Sequence, residues 1–300
     1  FGCYGSRFYQ TPTIDSLAHA GVLFTDGYAA CTVSSPTRAA LMTGKYPARL
    51  HLTDWIAGWN YPWAKLRIPE WTKYLPLEEK TVAEYLKDSG YQTWHVGKWH
   101  LGDDEKYWPE NQGFDVNIGG NYKGAPIKNK EGCNGYFSPY CLPRLENGEE
   151  GEYLTDRLTD EAERLIEKQG DRPFFLNMSH YAVHTPLGAK PELERKYEAL
   201  ADSSYFHNNA TYAAMIQSVD ESLNRILEVL KRKGVLDNTL IIVTSDNGAV
   251  HKISKSYPLR KGKGAEYEGG VRVPLIVYWK GHTPVNKKVH TPVITMDLFS

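Results

Sequence analysis

Thr239-Leu240-Ile241-Ile242-Val243-Thr244-Ser245-Asp246-Asn247-Gly248 is an aliphatic, β-branched run that breaks abruptly into small polar residues. The composition predicts a central strand over 239–244 with Ser245, Asp246 and Asn247 at its carboxyl end. The same grammar recurs outward along the chain. Val22 to Thr25, Tyr91 to Val96, Pro173 to Met178 and Val273 to Tyr278 all read as strands. The second runs into Gly97-Lys98-Trp99-His100-Leu101-Gly102, and the third into Ser179-His180-Tyr181-Ala182-Val183-His184. Helices alternate with these strands. They are expected over Thr13 to Ala20, over Leu154 to Lys168 and from about Asn209 to Lys233, and a Thr81-Val82-Ala83-Glu84 capping box opens one that ends at Gly90. The inner face of the long helix carries Tyr212, Ile216, Val219, Leu223, Ile226 and Leu230. This alternation predicts an α/β domain with a mainly parallel, mixed sheet sandwiched by helices. Ligands of such sheets bind beyond the carboxyl ends of the strands. Lys98 and His100, His184, and Asp246 with Asn247 all fall there, and Lys263 follows on the next loop. One site is expected.

Bulk properties narrow the function. The 300 residues carry a net charge of −1, with 41% hydrophobic and 24% charged residues. That balance argues against nucleic acid or an anionic membrane as partner, and no run reaches the length of a transmembrane helix. Phe1-Gly2-Cys3-Tyr4-Gly5 reads as mid-loop and Met296 to Ser300 as the opening of a helix. The chain is therefore expected to be a piece of a longer one, cut at both ends. Cys133 and Cys141 flank a short loop and are read either as a disulfide or as free thiols. Asn177-Met178-Ser179 and Asn209-Ala210-Thr211 fit the glycosylation pattern. Residues 45–78 and 103–150 read as long loops. Trp55, Trp59, Tyr61, Trp63 and Trp71 in the first, and the Gly/Asn-rich stretch 119–136 in the second, are pocket-wall candidates or loop packing.

A second polar stretch completes the set. In Cys31-Thr32-Val33-Ser34-Ser35-Pro36-Thr37-Arg38-Ala39-Ala40-Leu41-Met42-Thr43-Gly44, Ser34 or Ser35 is expected to cap a helix that Pro36 starts and Gly44 ends. Such a start welcomes an anion. A serine, one Arg, two Lys, two His and an Asp-Asn pair describe a site for a tetrahedral oxyanion. The oxygen donors of Asp246 and Asn247 suit Ca²⁺ or Mg²⁺ better than zinc, although Asp-Asn-Gly is also a common turn.

Ser34-Ser35-Pro36-Thr37-Arg38 through Gly44 resembles the signature of the formylglycine-dependent sulfatases, in its serine form. Gly97 to Gly102, Gly113-Phe114-Asp115, His184-Thr185-Pro186, Ser245 to Gly248, and Lys263-Gly264 running to Glu268-Gly269-Gly270-Val271-Arg272-Val273-Pro274 match the same family in the same order. The likeness spans the chain and is greatest to bacterial arylsulfatase-A-like enzymes. It implies an alkaline-phosphatase-like catalytic domain over 1–300 that hydrolyses sulfate esters, with a sulfated carbohydrate as the expected substrate. It further implies that a maturation enzyme converts Ser34 to formylglycine and that Arg38 holds the hydrate. Lys98, Lys263 and His184 would bind sulfate, His184 would serve the leaving oxygen, His100 would be the base, and Asp246 and Asn247 would ligate Ca²⁺. The resemblance also implies export to the periplasm or beyond. It places a strand with paired Asp ligands upstream of Phe1, and a smaller C-terminal part after Ser300. Two rivals remain at this level. One is a phosphatase or phosphodiesterase of the same superfamily using unmodified Ser34. The other is a non-catalytic binder of sulfated glycans.

Overall fold

The computed structural model describes residues 1–59, 61–130 and 132–299. In chain order the elements are α1 (Pro12–Ala20), β1 (Val22–Phe24), β2 (Gly27–Tyr28), α2 (Ser34–Thr43), α3 (Val82–Asp88), β3 (Gln92–Gly97), β4 (Val116–Ile118), β5 (Lys128–Lys130) and β6 (Cys133–Asn134). They continue as α4 (Leu154–Lys168), β7 (Phe174–Ser179), α5 (Pro191–Leu200), α6 (Ala210–Arg232), β8 (Ile241–Thr244), α7 (Glu268–Val271), β9 (Leu275–Tyr278), β10 (Lys287–Val289) and β11 (Val293–Ile294).

Two sheets carry the fold. The order β4-β3-β7 is wholly parallel. The order β10-β1-β9-β8 is mixed: β1 pairs β10 in parallel, while β9 runs antiparallel to both β1 and β8. The expectation of mainly parallel but mixed pairing thus holds, with β9 supplying the antiparallel part. The 239–244 strand is not central in its hydrogen-bonded sheet. It forms over Ile241–Thr244 at the sheet's edge, with Ile242 38% exposed.

Helices cover both faces of the parallel sheet, and the period-2 alternation of β7 shows why. Phe174, Leu176 and Met178 pack on the side of Trp94, Ala162, Ile166 and Ile226, which belong to β3, α4 and α6. Phe175 points the other way, against Ala39 of α2, Ala83 of α3, Trp99 and Phe114. Among its described residues the long 45–78 segment has no regular elements, yet Leu50, Leu52, Ile56 and Leu75 are buried in that second cluster. It is an ordered cover, anchored by its aliphatic residues.

Several local expectations change. The reading of 103–150 as loop misses β4, whose three residues complete the parallel sheet. Gly113-Phe114-Asp115 serves structure: Phe114 is buried, and Asp115 accepts the Thr93 N–H and pairs with Lys87. Cys133 and Cys141 form a disulfide, whereas Cys3 and Cys31 are free. Both glycosylation-pattern asparagines are engaged in the fold. Asn177 donates to His95 Nδ1 at 3.0 Å, and Asn209 caps α6 by accepting the Tyr212 N–H at 2.9 Å. Among the described residues no helix is long and apolar enough to cross a membrane.

His95 is fully buried on β3. Its Nε2–H donates to the Gly97 carbonyl at 3.1 Å while Nδ1 accepts from Asn177, so the neutral ring satisfies both contacts. Burial, with the nearby Arg38 charge, lowers its pKa to about 3 although the Gly97 carbonyl opposes the shift. A depressed histidine contributes stability that is present above the unfolded value near 6.5 and is lost as pH falls toward 3. The urea midpoint should therefore decline across that window, by at most about 1.4 kcal/mol per pH unit from this group. His95→Gln should flatten the decline; an unchanged slope would show that His95 does not titrate on unfolding.

Candidate active site

The site forms where β3, β7 and β8 end and α2 begins. At the end of β3, Gly97 has a φ of 104°, and a Cβ there would lie 2.0 Å from the Ser179 carbonyl oxygen. Only glycine lets the two strands stay this close, and the next residue, Lys98, then donates its N–H to that carbonyl at 2.7 Å. On the other sheet, a Cβ on Gly248 would fall 1.9 Å from the Gly269 carbonyl oxygen. The Gly248 N–H donates to the Gly270 carbonyl at 2.9 Å, which fixes the loop carrying Asp246 and Asn247.

Ser34 is not a helix cap. The helix begins at Ser34 itself, with Val33 in the cap position and no side-chain capping bond. Both serines are used elsewhere. Ser34 Oγ donates to Asp246 Oδ2 at 2.7 Å and accepts from Arg38 Nε at 2.9 Å. Ser35 Oγ accepts the Ile56 N–H at 3.1 Å. The one-turn spacing of Ser34 and Arg38 puts both on one helix face. The C-terminal expectation holds: Gly44 adopts a φ of 66° and its N–H returns to the Ala40 carbonyl.

Arg38 is the hub. Besides Ser34, its Nε and Nη2 reach Asp246 Oδ2 at 2.9 and 2.8 Å, and its Nη1 donates to the Lys98 carbonyl and to Ser179 Oγ at 3.0 and 2.6 Å. Lys98 is 3% exposed, and its Nζ stands 3.8 Å from the same Asp246 oxygen. Burial alone would favour neutral Asp246, but Arg38, Lys98, the Ser34 hydrogen bond and Lys263 outweigh it and hold the carboxyl far below the usual carboxylate range. Burial, then the Arg38 and Lys263 charges, pushes the Lys98 ammonium well down.

Two histidines complete the arrangement. His184 Nδ1–H donates to the Thr185 carbonyl at 2.6 Å, and Lys263 Nζ donates to His184 Nε2 at 2.9 Å. Burial, then Lys263 and Lys98, lowers His184 to about 4, so it is the neutral partner of a protonated lysine. His100 Nε2–H donates to the Ile56 carbonyl at 2.5 Å, and its buried Nδ1 has no hydrogen-bond partner among the described residues. Burial and Lys98 lower this ring to about 3. A Cβ on Gly124 would meet the ring at 2.5 Å, so both long loops close on His100. Asn247 donates to the Gly248 carbonyl while its buried Oδ1 also lacks a partner among the described residues.

The eight site candidates Ser34, Arg38, Lys98, His100, His184, Asp246, Asn247 and Lys263 thus lie in one neighbourhood. Three cations there face one carboxylate, with both histidines neutral, which suits an anion. Ser179 and the Ile56 carbonyl were missed. Ser179 was legible as the last residue of a strand ending at the site; a backbone carbonyl has no side-chain signature. A cavity of about 1210 Å³ lies elsewhere, lined in part by α1 and α6. Its buried acid Asp220 is already spent on the Thr13 and Ile14 N–H groups.

The chain belongs to the sulfatase family, whose model, described as Sulfatase, matches residues 1–300. It is 35% identical to the uncharacterized sulfatase YdeN of Escherichia coli K12 over 91% of this chain and 49% of that protein. It is 32% identical to human N-acetylgalactosamine-6-sulfatase over all of this chain and 58% of the relative. The chain therefore spans about half the length of these relatives. A solved structure of Ps i-CgsB in complex with k-i-k-neocarrahexaose superposes with a TM-score of 0.81 at 34% identity, covering 99% of this chain and 66% of that one. The fold is the alkaline-phosphatase-like α/β fold of the sulfatases.

A buried lysine crowded by Arg38 and Lys263 costs stability, and sites of this kind trade stability for function. In sulfate-free buffer Lys98→Met should be more stable to urea than the parent, by about 0.5–2 kcal/mol, because Arg38 still pairs Asp246 and the like-charge crowding is relieved. Added sulfate should stabilise the parent more than the variant. A destabilised Lys98→Met protein would contradict this charge balance.

Proposed function

We propose that the full-length protein hydrolyses sulfate esters on carbohydrates, with residue 34 as the attacking group. The observation that carries this reading is the placement of Ser34 Oγ between Arg38 and Asp246, with Lys98 beside the same carboxylate. Formylglycine at position 34, once hydrated, would supply one hydroxyl to attack sulfur and a second whose deprotonation re-forms the carbonyl and expels sulfate. Arg38 orients the oxygen at position 34. Lys98 and Lys263 bind the non-bridging sulfate oxygens and offset charge in the transition state. The Lys263 ammonium delivers a proton to the departing sugar oxygen, and neutral His184 serves that oxygen by holding the ammonium through Nε2. His100 has a free Nδ1 lone pair and accepts the proton of the second hydroxyl.

A divalent cation fits the residues present. The Asp246 carboxylate is held ionised by Arg38 and Lys98, and the buried Asn247 Oδ1 has no donor among the described residues. Both are hard oxygen donors of the kind Ca²⁺ takes, with Mg²⁺ as the smaller alternative. The cation would add positive charge against the sulfate oxygens. No group of three or more His, Cys, Asp or Glu that could hold a metal occurs among the described residues. We place the remaining carboxylate ligands on a strand upstream of Phe1. Its support is that β7 and β8 each pair on one side only among the described residues. A smaller C-terminal part would follow residue 300.

The substrate reading draws on the N-acetylgalactosamine-6-sulfatase relative and on Trp59, Tyr61 and Trp63, which are 54%, 39% and 70% exposed rather than packed beneath their loop. Exposed rings of this kind suit sugar faces. Maturation would require a formylglycine-generating enzyme. The Cys133–Cys141 disulfide supports export to an oxidising compartment, periplasmic or secreted.

Steady-state hydrolysis of 4-nitrophenyl sulfate and 4-nitrophenyl phosphate by the full-length protein tests the reaction class. Sulfate turnover should dominate, chelation of divalent cations should suppress it, and Ser34→Ala should lower kcat/KM by on the order of 1000-fold or more. Dominant phosphatase turnover that survives without maturation would replace this reading with an unmodified-serine phosphatase.

A further inference from the structure

The loop between β8 and α7 has two limbs that run side by side at its base. The Lys263 N–H donates to the Ala249 carbonyl at 2.8 Å, and His251 Nδ1 meets the Lys261 carbonyl at 3.2 Å. The Gly264 N–H donates to the Thr32 carbonyl at 3.0 Å, which ties the base to the segment leading into α2. Asn247 on one limb and Lys263 on the other therefore belong to the reaction centre. Beyond them the cations continue outward. Lys252, Lys255, Arg260 and Lys261 are exposed, and no Asp or Glu occurs from 247 to 265. None of the four forms an ion pair among the described residues. Some exposed cations elsewhere pair with a nearby carboxylate, as in Lys45–Glu79 and Lys280–Asp237, whereas residues 247–265 have no carboxylate of their own to offer.

The loop is built rather than slack. Ser254 is buried and shares a 2.8 Å hydrogen bond with Tyr9 Oη. The Lys255 carbonyl accepts from His207 Nε2 at 2.9 Å, and the Arg260 carbonyl accepts the Gly269 N–H at 2.9 Å. Aromatic rings stand among the charges. Tyr257 is 72% exposed and lies 5.6 Å from Phe206, and Arg260 sits 4.0 Å over the exposed Tyr267 ring. Like charges held together on a fixed loop repel one another in the free protein, so a polyanion that neutralises them gains on binding.

We propose that this loop is a second binding surface, continuous with the reaction centre, which holds sulfate groups on sugars neighbouring the scissile one. The substrate is then an extended, multiply sulfated oligosaccharide rather than an isolated sulfated monosaccharide. The identity of the scissile group rests on the sulfatase reading above; the surface itself does not. Each exposed lysine–sulfate contact is weak and screened by salt, so the effect comes from several contacts along one chain. The bare rings accept the apolar faces of the same sugars. Continuity with a sulfatase centre, on a chain of net charge −1, favours a sulfated glycan over a nucleic acid.

The test uses full-length protein and a Lys252→Gln/Lys255→Gln/Lys261→Gln triple variant. Turnover of 4-nitrophenyl sulfate reports the reaction centre and the integrity of the fold, and should change by less than about twofold because none of the three touches the site. Binding of a heparin octasaccharide, measured by calorimetry at low and physiological salt, reports the surface. The variant should bind it at least about tenfold more weakly, with a shallower salt dependence. A desulfated octasaccharide that keeps its carboxylates should bind the parent far more weakly. Unchanged octasaccharide affinity in the variant would overturn the proposal, as would equal binding of the desulfated chain or tighter binding of a single-stranded DNA of matching charge. Absent aryl-sulfate turnover with the octasaccharide arm intact would instead sink the sulfatase reading and leave the surface standing.

Discussion

One carboxylate oxygen organises this molecule. Asp246 Oδ2 accepts the Ser34 hydroxyl and two Arg38 nitrogens and faces the Lys98 ammonium. These groups come from α2, from the loop after β3 and from the loop after β8. Arg38 also reaches Ser179 at the end of β7, so four chain segments meet through one half-buried ion pair. Such a pair is poor evidence of net stability, because desolvation offsets much of the attraction. Its value is positional. Loss of either partner would leave the other charge without its counter-charge and free the oxygen at position 34 to turn.

The surplus of positive charge follows from the same arrangement. Arg38, Lys98 and Lys263 share Asp246 as their counter-charge, and Lys98 and Lys263 are held below the ordinary lysine range by burial. The free protein is thus kept in a state that an anion relieves. His184 and His100 stay neutral for related reasons, burial first and nearby lysines second. Neutral rings can take or relay protons, whereas charged ones would only add repulsion. An excess of fixed positive charge of this kind favours an anionic ligand.

Much of this was legible in the sequence, and the reasons are particular. Helix α4 matches its expected bounds because its apolar residues repeat on one stripe from Leu154 to Ile166. The Thr81 capping box forms with both reciprocal bonds. Polar clusters at strand ends converge because parallel β3 and β7 end side by side at Gly97 and Ser179. Other features carried little signal. Strand β4 is three residues long, too short for a period to show. Helix α5 is half charged and buries only Tyr197, so its short Leu193-Tyr197 stripe is a faint signal. Ser34 has the composition of a cap, and only the arrival of Asp246 from more than 200 residues away redirects its hydroxyl. The edge position of β8 depends on pairing, which a single strand's composition does not encode.

Everything converges on the chemical state of residue 34. The decisive measurement is intact-peptide mass spectrometry of residues spanning Thr32 to Arg38, from full-length protein matured in a host with a formylglycine-generating enzyme. The expected result is a peptide lighter than the serine form by two hydrogen atoms, with an aldehyde that hydrazine reagents capture. A peptide bearing unmodified serine, from protein that still turns over sulfate esters at full rate, would contradict the mechanism.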